Sequence, residues 1–189
     1  MNRQPVLTLL DDYLDRCPDE LATVERIRAL VRTHEDCLLR TCEPGHVTSS
    51  AWIASPDGGS FLLTHHRKLD RWLQLGGHVD GEPEIDASAL REAREESGMF
   101  EFQIAAAGRR PLVLDLDVHV IPAHGDEPEH EHHDVRFLLV AGPGQELVVS
   151  EESKALRWFR NDELDEIASD ESVRRMGRKA IALLGGLTS

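Results

Sequence analysis

Three carboxylates fall on one stripe of a short helix that a glycine brings to an end. Residues 91–99 read Arg-Glu-Ala-Arg-Glu-Glu-Ser-Gly-Met, with Glu92, Glu95 and Glu96 at i, i+3 and i+4. Their side chains therefore lie over one another on one helix face. Like charges at that spacing destabilise a helix. A hard divalent cation among them makes the arrangement favourable. Mg²⁺ takes one or two carboxylates and completes its shell with water and substrate phosphates. The stripe thus asks for a fold that presents one helix edge to a metal ion and a phosphorylated ligand.

The preceding residues suit that demand. Gly76-Gly77-His78-Val79-Asp80-Gly81-Glu82 reads as a strand end opening into a glycine-rich loop. Asp86 is a candidate N-cap. Ala87, Leu90 and Ala93 are expected to face a core while the glutamates face away, and Gly98 supplies the left-handed stop.

This strand, loop and helix resemble the signature box of the Nudix hydrolases. Gly77, Arg91, Glu92, Glu95, Glu96, Gly98 and Met99 fall on its pattern. Pro83 takes the place of its first glutamate, between Glu82 and Glu84, and Ala93 is a small version of its aliphatic. The resemblance implies a metal-dependent hydrolase that splits a diphosphate in a nucleoside diphosphate-X type small molecule. It implies Mg²⁺ or Mn²⁺ at Glu95 and Glu96, with Glu92 as a further ligand or as base and Glu82 or Glu84 as an additional ligand. Arg91 would orient a glutamate by a forked pair. Gly76, Gly77 and His78 would meet the substrate. Glu151 and Glu152 are either the general base or plain loop acids. Two alternatives share the fold: an isopentenyl-diphosphate isomerase, whose chemistry needs a cysteine for which Cys42 is the candidate here, and a catalytically silent ligand-binding module.

The resemblance covers residues 45–168 and implies an α/β (α+β) fold, an α/β/α sandwich around a mixed β-sheet, with an N-terminal helical extension. Strands are expected at 48–54 and 59–64 around the turn Ser55-Pro56-Asp57-Gly58-Gly59, and again at 111–121, 135–141 and 155–159, before a short helix from Asn161. Helical spacing predicts helices over 6–17 and 21–39, split by Pro18, and a last helix over 171–184. The domains read as a 1–44 extension, a 45–168 core and a 169–189 helix packed on that core. Trp52 and Trp158 are candidates for stacking on a ring or for simple core packing.

The histidines form a second theme. His46, His65, His66, His78 and His119 lie in or beside expected strands, and residues 124–134 add His124, His130, His132 and His133 among five acids. That segment reads as a solvated acidic turn. If 130–134 instead enters a strand, alternation aims His130 and His132 to one side as secondary metal candidates. His46 and His119 read as satisfied core or edge residues, and His65 and His66 end a strand beside the basic pair Arg67-Lys68. The net charge of −14 speaks against a non-specific nucleic-acid surface. The absence of a long apolar run or signal pattern predicts no membrane partner, and three unpaired cysteines predict a reduced, cytoplasmic setting. A homodimer is compatible with all of this.

Overall fold

The computed structural model describes residues 1–151, 153–167 and 170–187. Helices α1 (Gln4–Arg16) and α2 (Leu21–Thr33) flank a 3-10 turn at Pro18–Glu20. Then come β1 (Gly45–Ala54), β2 (Ser60–His66), β3 (Arg71–Leu73), β4 (Leu75–His78) and α3 (Ile85–Ser97). The chain continues through β5 (Phe102–Ile104), β6 (Ala106–Ala107), β7 (Arg110–Pro111), β8 (Val113–Ile121) and β9 (His130–Ala141). It closes with β10 (Ser153–Arg160), α4 (Leu164–Ile167) and α5 (Glu171–Leu187).

The main sheet runs β10-β2-β1-β9-β5, with β3 on β2, β4 on β1 and β8 on β9. It is mixed, because β1 and β9 pair in parallel while the other pairs are antiparallel. Alternation sends Val47, Ala51 and Ile53 into a core shared with α1, α2 and α3, and sends Trp52 and Ala54 into a second core closed by Val173, Met176 and Ala180 of α5. Helices therefore cover both faces, as expected of an α/β/α sandwich.

Several boundaries differ from those read in the sequence. Helix α2 stops at Thr33 rather than 39, since the carbonyls of Cys37 and Leu38 accept the N–H groups of Val47 and Gly81 instead of continuing the helix. Strand β9 begins at His130, not 135, because His130 pairs with β8 and residues 131–134 pair on both sides, with β1 and with β8. Residues 161–163 are a turn, and helix follows only from Leu164. Asp86 is not the N-cap. Helix α3 starts at Ile85 after Glu84, without a side-chain cap, and Asp86 lies in its first turn. Its buried stripe is Ile85, Ser88, Ala89 and Ala93, while Ala87 is exposed and Leu90 half-buried.

Candidate functional site

Antiparallel pairing of β4 with β1 sets Gly77 opposite Ser49 and His78 opposite Thr48. The two residues of this short strand therefore look to opposite sides of the sheet. Gly77 faces α3, where a Cβ would stand 2.7 Å from Glu92 Oε1, so only glycine seats that carboxylate. The Gly76 N–H donates to Glu96 Oε1 at 2.8 Å. That bond explains why Glu96, expected to face away from the core, is buried. Glu95 is the most open of the three.

Arg91 ties the stripe to the strand. Its Nη1 lies 2.8 Å from Glu92 Oε1 and 3.1 Å from Glu95 Oε2, and its Nη2 donates to the His78 carbonyl at 2.8 Å. One guanidinium thus relieves the repulsion within the stripe and fixes its position relative to Gly77. Gly98 ends the helix at φ +73°, its N–H donating to Arg94 O at 2.9 Å.

The flanking acids stand apart from this cluster. Glu82 Oε1 accepts the Glu84 N–H at 3.0 Å, within its own loop. Glu84 lines a cleft of about 340 Å³ with Asn2, Leu9 and Arg110. Glu151 is exposed, and Glu152 lies outside the described residues. Trp52 is fully buried, whereas Trp158 lines a cavity of about 400 Å³ with Pro56, Met99 and Gln145. His65 meets Trp72 in a tilted ring contact and pairs with Asp70 at 3.3 Å. Cys42 is buried, and burial followed by a hydrogen bond to Asp36 pushes its thiol up to about 12.

The other face of β1 and β4 carries a polar stripe. His46 pairs with His132 across the parallel β1–β9 ladder, and His132 pairs with His119 across β8. The His46 ring lies 5.0 Å from His78, 5.0 Å from His130 and 4.8 Å from His132. Burial, reinforced by neighbouring histidines, lowers His46 to about 4 and His132 to about 2, and burial also lowers His78. These rings are neutral at pH 7. His46 was expected to be a satisfied core or edge residue. Instead, both of its ring nitrogens are buried without a hydrogen-bond partner.

Further along the stripe, Thr48 and Ser50 donate to Asp134, and Arg136 Nε donates to Asp134 Oδ2 at 2.8 Å. Fully buried Asp115 then gathers Arg136 at 3.0 Å, Arg175 at 2.8 Å and Lys179 at 2.6 Å. The sequence reading missed this network. Its only local signal is the alternation of Asp115, Asp117 and His119 in one strand and Asp134 and Arg136 in another.

Residues 44–179 match the NUDIX domain. The chain belongs to the NUDIX family. Among solved structures it is similar to an Ap4A hydrolase of C. elegans, seen in a binary complex (TM-score 0.59, 20% identity, 74% of this chain and 98% of that one). It is similar also to RenU, a Nudix hydrolase from M. smegmatis (0.56, 16%, 75% and 87%). A third likeness is to the dihydroneopterin triphosphate pyrophosphohydrolase of E. coli (0.54, 17%, 70% and 92%). No curated protein matches the sequence. Family membership and the complete Arg91–Glu96 element support a hydrolase acting on pyrophosphate bonds.

Proposed function

We propose that the chain is a metal-dependent hydrolase that cleaves the diphosphate linkage of a nucleoside diphosphate-X type small molecule. The observation that carries this reading is the seating of Glu92 against Gly77 and of Glu96 on the Gly76 N–H, with Arg91 bound to Glu92 and Glu95. The donors are hard carboxylate oxygens on one helix edge, a set that fits Mg²⁺ or Mn²⁺ and not a soft metal. Glu95 and Glu96 would hold the ion, with Glu92 beside them. Once bound, it supplies Lewis-acid polarisation of the phosphoryl oxygens and a lowered water pKa.

The protein's own groups do the rest. Gly76 and Gly77 let the backbone approach the phosphates, and Arg91 positions the carboxylates. Water attacks one phosphorus, the bridging P–O bond breaks, and the departing phosphate carries off the bond's electron pair. The water's proton passes to a carboxylate, Glu92 or Glu152. The buried Cys42 thiol, held protonated, favours hydrolysis over a proton shift at carbon.

The test is a metal-supplemented screen of nucleoside di- and triphosphates, dinucleoside polyphosphates, nucleotide sugars and ADP-ribose, with products weighed by mass. Glu95→Gln and Glu96→Gln are each expected to lower kcat by about 100-fold or more, in the range reached when one electrostatic contributor is removed. Unchanged turnover in both variants, or turnover that survives complete chelation, refutes the assignment. Separate Glu92→Gln and Glu152→Gln profiles against pH show which of the two takes the proton, since only the base's variant loses the acidic limb.

A further inference from the structure

The histidine cluster stands on the face of β1 and β4 opposite the carboxylate stripe of α3. Its geometry is specific. His46, His130 and His132 each offer a ring nitrogen, and the three nitrogens lie within 4.8 Å of one another. The Nε2 atoms of His130 and His132 are 3.4 Å apart. Two imidazole nitrogens bonded to zinc at ~2.0–2.1 Å and subtending a tetrahedral angle are themselves ~3.4 Å apart.

The supporting contacts fit the same purpose. His130 Nδ1 lies 2.9 Å from the Pro128 carbonyl, which can only accept, so Nδ1 carries the proton and Nε2 presents its lone pair. Such an outer bond is the usual means of orienting a metal-binding imidazole. His119 packs edge-on against His132, with its Nδ1 3.1 Å from Asp117 Oδ2. His46 is only 2% exposed, with neither ring nitrogen bonded. Leaving a buried polar atom unsatisfied costs about 1–3 kcal/mol, and an apolar residue would pack there without that cost.

We propose that His46, His130 and His132 bind a Zn²⁺ ion, at a site separate from the carboxylate stripe. Three imidazole nitrogens suit zinc and are poor donors for Mg²⁺. His78 stands beside the three, its ring 5.0 Å from His46 and 5.4 Å from His132. His78 is also the residue whose carbonyl receives Arg91. The zinc site and the carboxylate site therefore adjoin the two sides of one residue.

The experiment uses the full chain, stripped with a chelator and dialysed. Titration with Co²⁺ is expected to give the intense visible bands of a tetrahedral nitrogen site, abolished by one equivalent of Zn²⁺. His132→Gln and His130→Gln are expected to weaken Zn²⁺ binding by at least roughly 100-fold in competition with a chromophoric chelator, more than the 10–100-fold typical of an outer-shell loss. Glu95→Gln should leave both the spectrum and the zinc affinity unchanged. Retention of the Co²⁺ bands in His132→Gln, or a wild-type chain that takes up no zinc, overturns the proposal. X-ray absorption at the zinc edge of the wild-type protein needs no variant: three imidazole nitrogens near ~2.0 Å support the site, and fewer than three overturn it.

Discussion

The two faces of β1 and β4 use charge in opposite ways. Toward α3, the strands offer small residues, Ser49 and Gly77, and beyond them the Arg91–Glu95 pair sits on a helix edge that water reaches. On the other face, Asp134, Arg136 and Asp115 are buried and bonded to one another, to Thr48 and Ser50 of β1 or to α5, beside the buried ring of His46. The Arg91–Glu95 pair can lose one partner without leaving a dry charge, whereas the buried ions of the second face cannot. Variants on the two faces should accordingly separate activity from stability.

The sharpest break is expected at Asp115. Its carboxylate is fully buried and meets three cations, Arg136, Arg175 and Lys179. Asp115→Ala leaves those charges without it and is expected to cost about 3–5 kcal/mol in urea unfolding, as for other buried ion pairs broken from one side. A cost under 1 kcal/mol would show that the polar face is not structural. The same network sets an acid limit. Burial alone raises the Asp115 carboxyl, but the bonds and charges of Arg175, Arg136 and Lys179 outweigh it and hold it below the ordinary carboxylate range. The unfolded chain then binds more protons at low pH, so this stabilisation is complete above the unfolded value of about 3.9 and is lost as pH falls through the folded one. Urea midpoints measured from pH 6 downward should decline below about pH 4, and less steeply in Asp115→Asn.

These two faces were unequally legible in the sequence. The carboxylate stripe is a local pattern: Arg91 to Gly98 fall within one helix and its stop, so spacing alone assembles it. The polar face is assembled by pairing. His46 and His132 become neighbours only through a parallel ladder between strands far apart in the chain, and no periodicity announces a parallel partner. Segment 130–134 misled for a related reason. Its charged and imidazole side chains imitate a solvated turn, yet β1 and β8 enclose it on both sides. The family resemblance implied the sandwich, but not that Thr48 and Ser50 would serve a buried carboxylate.

Gly77→Ala probes the other face. The added Cβ would meet Glu92 Oε1 at 2.7 Å, so the carboxylate must move. A misplacement near 1 Å at a reacting centre costs about 100-fold in rate. We expect that loss in kcat, with urea stability held within about 1 kcal/mol, because the strained atom is the end of a flexible side chain. If unfolding and activity fall together, the contrast between the faces fails at this point. Glu92→Ala in the same background should remove the clash, and the double variant should then match Glu92→Ala alone.

The smallest expected effect gives the closest comparison, because Thr48 and Ser49 are consecutive. The Ser49 hydroxyl donates to the Ile85 carbonyl at 2.6 Å, fastening the start of α3 to β1, and the Thr48 hydroxyl donates to Asp134 at 3.1 Å. Each bond is buried and worth about 1 kcal/mol. Ser49→Ala and Thr48→Val should therefore lose similar stability in urea. Their kinetics should differ. Ser49→Ala frees the helix that carries Glu92, Glu95 and Glu96 at its anchored end and is expected to lower kcat several-fold with little change in KM. Thr48→Val, which still leaves Asp134 the Ser50 hydroxyl and Arg136, should leave kcat as it was. Equal kinetic losses in the two variants would mean that the sheet transmits disturbances from one face to the other, and the separation of roles would have to be abandoned.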